Sequence, residues 1–354
     1  MTALREHAIA VVAGDGVGPE VVAEALKVLR GAADRFGFGV KTTEYPYCGA
    51  HYLKTGELMP ERVLDEMRDH DAVLLGAIGH PGCEPGLVER NVVAGIRFGL
   101  DLYINLRPVK LYAGHLCPLR NATPETVDFV VVRENTEDLY VGTHGFFKRG
   151  TPDEVATAEL LLTRKGTERV IRYAFELASR RDRRHLTMVD KANAVRAYDL
   201  WTRVFAEVAA EHPGVTADHL YVDACAMAMV EHPERFDVIV APNLFGDILT
   251  DLGAALQGGI GGAASANLHP GKTGMFEPVH GSAPDIAGTG TANPVAAVAS
   301  IQLMLEELGE SEAARGVASA VAGALAGGRI PGLGSDTGLT TAAMGDVIAE
   351  TIRG

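Results

Sequence analysis

The stretch "AIAVVAGDGVGPEVVAEALKVL" (residues 8–29) sets an apolar run, a glycine turn and an amphipathic run end to end. Ala8–Gly14 is apolar without alternation, the pattern of a strand buried on both faces. The residues after the turn read as a helix, with Pro19 suited to its first turn. A buried strand feeding a helix in this way is the unit of an α/β fold. The glycines also invite a dinucleotide-binding reading, with Glu44 at the end of the next strand as an acid for a ribose. The spacing, however, is GxGxG, and the third glycine comes one residue early for GxGxxG. An ordinary strand-to-helix connection accounts for it equally well.

Apolar runs keep alternating with amphipathic ones, which predicts α/β architecture along the whole chain. Further strands are expected in "GVKTTEY" (39–45), "DAVLLGAIG" (71–79), "LYINLRP" (102–108), "DFVVVRE" (128–134), "LTMVD" (186–190), "HLYVD" (219–223) and "DVIVAPN" (237–243). Residues 165–181 and 195–212 carry helical periodicity. Residues 292–309 should form another helix, with Asn293 as cap and Pro294 at its first position. The glycine-rich "LQGGIGGAASANLHPGKTG" (256–274) reads as a domain crossing or a mobile loop.

At 354 residues the chain has room for about two domains, and 47% apolar content supports a large core. A net charge of −14 argues against nucleic acid as a partner. A small anion remains possible, because local arginines can reverse the sign of a cleft. Cys48, Cys83, Cys117 and Cys225 form no CxxC pair, which disfavours zinc and fits a reducing compartment. The N-terminal apolar run is too short for a signal peptide, and no stretch reaches the ~18 apolar residues of a membrane span. The expectation is a cytoplasmic protein with no membrane partner.

Ionisable groups gather where the middle strands end: Arg107, Arg133, Asp190 with Lys191, Asp223 and Asp247. Ligands of open α/β sheets bind outside the carboxyl ends of strands, so this repetition points to one shared cleft. In "NLFGDILTD" (243–251), Asp247 and Asp251 stand four apart. On a helix that spacing puts both carboxylates on one face, where they repel unless a positive group lies between them. Taken alone, Asp247 reads equally as a helix cap and Asp251 as a solvated acid.

Seven segments together resemble the β-decarboxylating dehydrogenase family, which includes the isopropylmalate, isocitrate, homoisocitrate and tartrate/D-malate enzymes. They are "GDGVGPEV", "IRFGLDLYINLRPVKL", "VVRENTEDLYVG", "DKANAV", "VDACAM", "RFDVIVAPNLFGDILTDL" and "EPVHGSAPDIAGTGTANP". The resemblance implies an α/β fold with a mixed sheet shared by two domains, and not a Rossmann fold. Residues 1–102 plus 258–354 would form a large cofactor-binding domain, and 103–257 a small domain with the dimer interface and metal site. It implies a homodimer with shared active sites. The reaction implied is oxidation of a 2-hydroxy acid followed by loss of its C3 carboxylate.

By the same resemblance Arg97, Arg107 and Arg133 hold the malate core, as bidentate arginine forks suit carboxylates. Asp247 and Asp251, with Asp223 from the other subunit, would bind Mg²⁺ or Mn²⁺, the metals an all-oxygen ligand set favours. Lys191 is the implied base and Tyr140 the proton donor, with Asp223 beside them. The "HGSAPDIAG" loop, through His280, Gly281, Ser282, Ala283, Asp285 and Ile286, together with Asn293, would hold the adenosine half of the cofactor. An acid at Asp285 favours NAD, since it would repel a 2′-phosphate.

Val92, Val93 and Ala94 stand where the C3 substituent of the malate should lie, and an apolar wall there favours an isopropylmalate-like substrate. That reading belongs to amino-acid biosynthesis or a parallel specialised pathway. Arg90 and Asn91 could still reach a polar group, which keeps isocitrate, homoisocitrate, tartrate and D-malate as alternatives. A non-catalytic regulatory homologue is the alternative of another class. Two departures stand out: Asp138 where glycine is usual, and Asp190 before Lys191 where relatives often carry histidine.

Overall fold

The computed structural model of the chain describes residues 5–353. Residues 1–4 and Gly354, the outer ends of the expected large-domain segments, lie outside the described residues. Twelve strands follow in chain order among the described residues: β1 (Glu6–Gly14), β2 (Gly39–Glu44), β3 (Ala72–Ala77), β4 (Ile104–Lys110), β5 (Asp128–Glu134), β6 (His144–Phe147), β7 (Val155–Ala158), β8 (His185–Asp190), β9 (Thr216–Tyr221), β10 (Val238–Ala241), β11 (Ala264–Leu268) and β12 (Gly274–Pro278).

Two compact units divide the chain: residues 1–102, 108–127 and 254–354 form one, and residues 103–107 and 128–253 the other. Residues 108–127 and 254–257, expected in the small domain, therefore go with the first unit. Local bonds there explain it: Leu111 N–H donates to Val127 O, and Lys110 N–H to Gln257 Oε1.

In the first unit the strand order is β2-β1-β3-β12-β11, parallel except for the antiparallel pair β11–β12. This mixed order is not the Rossmann arrangement. Ile9, Ala10, Val11 and Val12 of β1 are all buried, as their unbroken apolar run predicts. The helix Gly18–Phe36 covers this sheet, carries Pro19 in its first turn and stops at Gly37, whose φ of +76° only glycine adopts readily. In the second unit β5, β10, β8 and β9 run parallel in that order, and β6 and β7 pair as an antiparallel hairpin. Its core packs Phe129 against Phe236 and Phe175 against Phe205.

Three sequence expectations change. The glycine-rich 256–274 segment is no loop: Ala264–Leu268 is a buried strand. Its alanines, Ser265 and Asn267 give little apolar signal, yet their small volume suits a tightly packed sheet. The "HLYVD" strand stops at Tyr221, and Asp223 lies in the first turn of the helix Val222–Glu231. Asp247 does not open its helix, which starts earlier and runs Asn243–Leu256.

The glycine turn after β1 is a device for close approach. A Cβ at Gly14 would lie 2.0 Å from Ala77 O, and one at Gly16 1.9 Å from Ser282 O. Both residues have positive φ. Gly37→Ala, where nothing lies within 4 Å, should cost about 1–2 kcal/mol in urea unfolding from its left-handed backbone alone. Gly16→Ala should lose about 1–3 kcal/mol more from the clash. Equal losses would mean that the 282 segment moves aside freely.

Candidate active site

Within the second unit, β5 and the Asn243–Leu256 helix bring five of the expected residues together. Arg133, 3% exposed, donates from Nε and Nη2 to Asn243 Oδ1 at 2.9 and 2.7 Å, and from Nη1 to Asp247 Oδ1. Gly246 makes that possible, since a Cβ there would come within 2.6 Å of Arg133 Cγ. Arg107, on β4, lies 3.6 Å from Asp247 and 3.5 Å from Asp251 and donates to Thr250 Oγ1 at 2.7 Å. The positive group between the two carboxylates is thus Arg107.

Tyr140 follows β5 and donates its hydroxyl to Asp247 Oδ2 at 2.7 Å, its ring 5.3 Å from the Arg133 guanidinium carbon. Desolvation of the hydroxyl, then its bond to Asp247, pushes the Tyr140 pKa up to about 12. The phenol therefore keeps its proton at neutral pH and can serve as a donor.

A second pair stands in the same unit. Lys191 Nζ donates to Asp223 Oδ1 at 2.6 Å, and this bond holds the Asp223 carboxyl below its usual range. Asp190, fully buried, faces away from Lys191. It accepts from Ala192 N at 3.0 Å, Thr202 Oγ1 at 3.0 Å and His219 Nε2 at 2.9 Å. The acid that sits on Lys191 is Asp223, not Asp190.

The remaining candidates belong to the first unit. Arg97 Nη2 donates to Glu277 Oε1 at 2.6 Å, while its Nε is buried without a partner. Residues 90–94 form a π-helical turn, a feature frequent at functional sites. Val92 is sunk in the core with Ile96 and Leu100, Val93 packs partly against it, and Ala94 is part-exposed. Of the expected apolar wall, Val93 and Ala94 remain available to a ligand. Asn91 is consumed by the backbone of Met59, accepting at 2.8 Å and donating at 3.1 Å, so it does not offer a polar group.

On the 280–286 loop, His280 Nε2 is buried with no partner, and burial lowers the imidazole pKa, keeping it neutral. Asp285 is exposed, Gly281 meets nothing within 4 Å, and Ala283 takes a φ of +40°. An orphan ring nitrogen beside an exposed acid and an open glycine fits a polar nucleotide ligand. Asn293 instead spends its amide on structure: Oδ1 caps Val295 N at 3.1 Å, and Nδ2 donates to Gly332 O and Gly334 O.

The oxygen-only donors Asp247 and Asp251 fit a hard divalent cation. Among the described residues no three His, Cys, Asp or Glu side chains gather to hold a metal. A third carboxylate would have to come from elsewhere, as the expectation for Asp223 requires.

Sequence reading missed the supporting side chains Asn243, Asn105, Thr250 and Glu277. It also missed Gly246, a glycine inside a helix, which is itself a signal of close approach.

A family profile described as "Isocitrate/isopropylmalate dehydrogenase" matches residues 8–348. This chain belongs to the isocitrate/isopropylmalate dehydrogenase family. It is 52% identical to a 3-isopropylmalate dehydrogenase of Thermobifida fusca over 90% of this chain and 91% of that one. A second 3-isopropylmalate dehydrogenase, of Clavibacter sepedonicus, is 49% identical over 98% of both. Among solved structures, an isocitrate dehydrogenase from Methylococcus capsulatus superposes with a TM-score of 0.89 at 39% identity, covering 98% of this chain and 100% of that one. A β-decarboxylating dehydrogenase from Thermococcus kodakarensis gives a TM-score of 0.79 at 35% identity, covering 98% and 96%. Family membership makes the chain a decarboxylating dehydrogenase.

Glu134, next to Arg133, is buried and accepts from Thr136 N, Thr136 Oγ1 and Glu137 N; burial pushes its pKa up to about 7. The folded protein therefore holds a proton that the unfolded chain releases near the ordinary carboxyl value. That favours the folded state at acid pH and is lost as pH rises to about 7. Glu134→Gln should be the less stable protein at pH 5, and its deficit should shrink by up to about 3 kcal/mol by pH 8. A deficit constant across that range in thermal melts would show Glu134 ionised throughout.

Proposed function

We propose that this chain is an NAD-dependent, divalent-metal-dependent dehydrogenase that oxidatively decarboxylates 3-isopropylmalate or a close analogue with an apolar C3 group. One observation carries the reading: a protonated tyrosine rests on the first of two carboxylates that share an arginine. That is a proton donor next to a cation site. The names of the relatives support the isopropyl group, and so does the loss of Asn91 to the Met59 backbone.

Arg97, Arg107 and Arg133 would bind the two carboxylates and the hydroxyl of the malate core. Bound NAD would accept hydride from C2, and Mg²⁺ or Mn²⁺ on Asp247, Asp251 and a partner's Asp223 would act as a Lewis acid. Lys191 takes the C2 hydroxyl proton. The C3–carboxylate bond would break with release of carbon dioxide, its electron pair becoming the C2–C3 double bond of the enolate; Tyr140 would then give its proton to C3 and regain one from solvent. Lys191 would first have to leave its bond to Asp223, a bond that Asp223 would no longer offer if it held the metal. His280, Gly281, Ser282, Ala283, Asp285 and Ile286 would receive the adenosine half of NAD. Asn293 would join them through its backbone.

Lys191 and Asp223 act as one unit, so a homodimer that shares Asp223 also shares Lys191. Exposed apolar side chains support such a dimer: Met227 and Val230 on the Val222–Glu231 helix, Ile248 beside Asp247, and Phe146 and Phe147 on the β6–β7 hairpin. Light scattering should report twice the 37.4 kDa chain mass, and Met227→Asp should yield monomers with little activity. A monomeric, active wild type would remove the shared site. Unpaired cysteines and the metabolite substrate favour the cytoplasm.

NADH formation across a malate panel tests the whole reading. The fastest turnover should be with 3-isopropylmalate, and it should vanish with a chelator. Faster turnover of isocitrate, homoisocitrate, tartrate or D-malate would overturn the substrate. Tyr140→Phe should lower kcat by about 10²–10⁴-fold.

A further inference from the structure

Asp138 has a backbone that glycine adopts, with φ +70° and ψ −148°, yet its side chain is fully buried. Such a conformation costs a non-glycine residue about 1–3 kcal/mol and persists only where the surroundings hold it. What holds it is the carboxylate. Oδ2 accepts the backbone N–H of Leu244, in the first turn of the Asn243–Leu256 helix, at 2.9 Å. Oδ1 accepts the Tyr198 hydroxyl at 2.9 Å, and burial beside that carboxylate raises the Tyr198 pKa, so the hydroxyl stays a donor. The Tyr198 ring in turn packs on Phe245, centroids 5.1 Å apart. The Asp138 backbone is pinned by its N–H to Leu161 O at 2.8 Å. Just before it, Glu137 O accepts from Asn243 Nδ2 at 3.1 Å.

We propose that Asp138 is a positioning residue that ties the segment bearing Tyr140 to the helix bearing Asp247 and Asp251. Its carboxylate reaches the helix start while the chain runs two residues on to Tyr140. Together with the Asn243–Glu137 bond, this contact holds the Tyr140 segment against the start of the helix that carries Asp247. A negative charge at a helix N-terminus is also favourable in itself. Glycine would relieve the backbone strain but leave the Leu244 N–H and the Tyr198 hydroxyl without their acceptor. The residue thus accepts backbone strain, offset by its two hydrogen bonds, for alignment of a proton donor with a carboxylate pair, a role that rests on the function proposed above.

Three measurements on the full-length enzyme test it: hydrogen exchange of the 243–248 amides, Mn²⁺ affinity without substrate, and the split of kcat from KM. Asp138→Gly should speed exchange at Leu244, weaken Mn²⁺ about 10-fold and lower kcat about 10-fold, with KM for NAD unchanged. Its melting temperature should stay near that of the wild type, since strain relief offsets the lost bonds. Asp138→Asn can still accept from Leu244 and should restore all three readouts to within about 3-fold. Should the glycine variant not fold, Tyr198→Phe, which removes one of the two bonds that hold the carboxylate, should speed exchange at Leu244 and lower kcat about 3-fold, and no change in either would overturn the proposal. Unchanged Mn²⁺ affinity and kcat in a folded Asp138→Gly protein would overturn the proposal, and so would unchanged exchange at Leu244. A wild type that binds no Mn²⁺ would instead sink the proposed metal site, and the exchange readout would still decide the tether.

Discussion

Three side chains of the second unit, Arg107, Arg133 and Tyr140, converge on one pair of carboxylates. Asp247 shares a helix face with Asp251, and the repulsion between them has to be answered. The chain answers it with cations drawn from neighbouring strands: Arg133 on β5 bonds to Asp247, and Arg107 on β4 bridges both acids. Gly246 lets the helix come down onto Arg133, and Asn243 fixes the guanidinium from the other side. Tyr140 then finishes the set by donating to the remaining oxygen of Asp247. Arg107 and Arg133 would be expensive to bury alone, because an uncompensated charge in a low-dielectric site costs several kcal/mol. The cluster is assembled before any ligand arrives.

The same logic governs the first unit. Arg97 is paired with Glu277, which also accepts from Asn267 Nδ2 at 2.8 Å. The three arginines proposed to meet the substrate are therefore each engaged by an acid or amide of their own unit before any ligand arrives. On the proposed reading a dianionic malate would exchange with carboxylates already present, and a divalent cation taken up by Asp247 and Asp251 would release Arg107 from bridging them. Substrate and metal would then favour each other. It also fits a chain of net charge −14 that must still hold an anion.

The strands that carry the site were readable because they are buried on both faces, and an unbroken apolar run ended by an ionisable residue is hard to mistake. Arg107, Arg133, Tyr140, Asp247 and Asp251 were found as candidates, and the structure does bring them together. β11 was unreadable for the opposite reason: "ASANL" packs by smallness, not by hydrophobicity. The supporting shell was invisible too. Nothing in the sequence says that Asn243 will hold Arg133 or that Asn91 will turn back onto Met59, since such pairs are 110 and 32 residues apart. Adjacency in sequence does not pair Asp190 with Lys191: Asp190 ends β8 and bonds to His219, while Lys191, just past the strand, bonds to Asp223.

The two acids near Lys191 differ in exposure. Asp190 is fully buried among its own partners. Asp223 sits instead in the first turn of an exposed helix, its side chain 68% exposed and free to turn towards another ligand. The pair can therefore open when Asp223 takes on other work. On the proposed reading, in which Lys191 takes the substrate proton, a ligand that draws Asp223 away would free Lys191 from its partner.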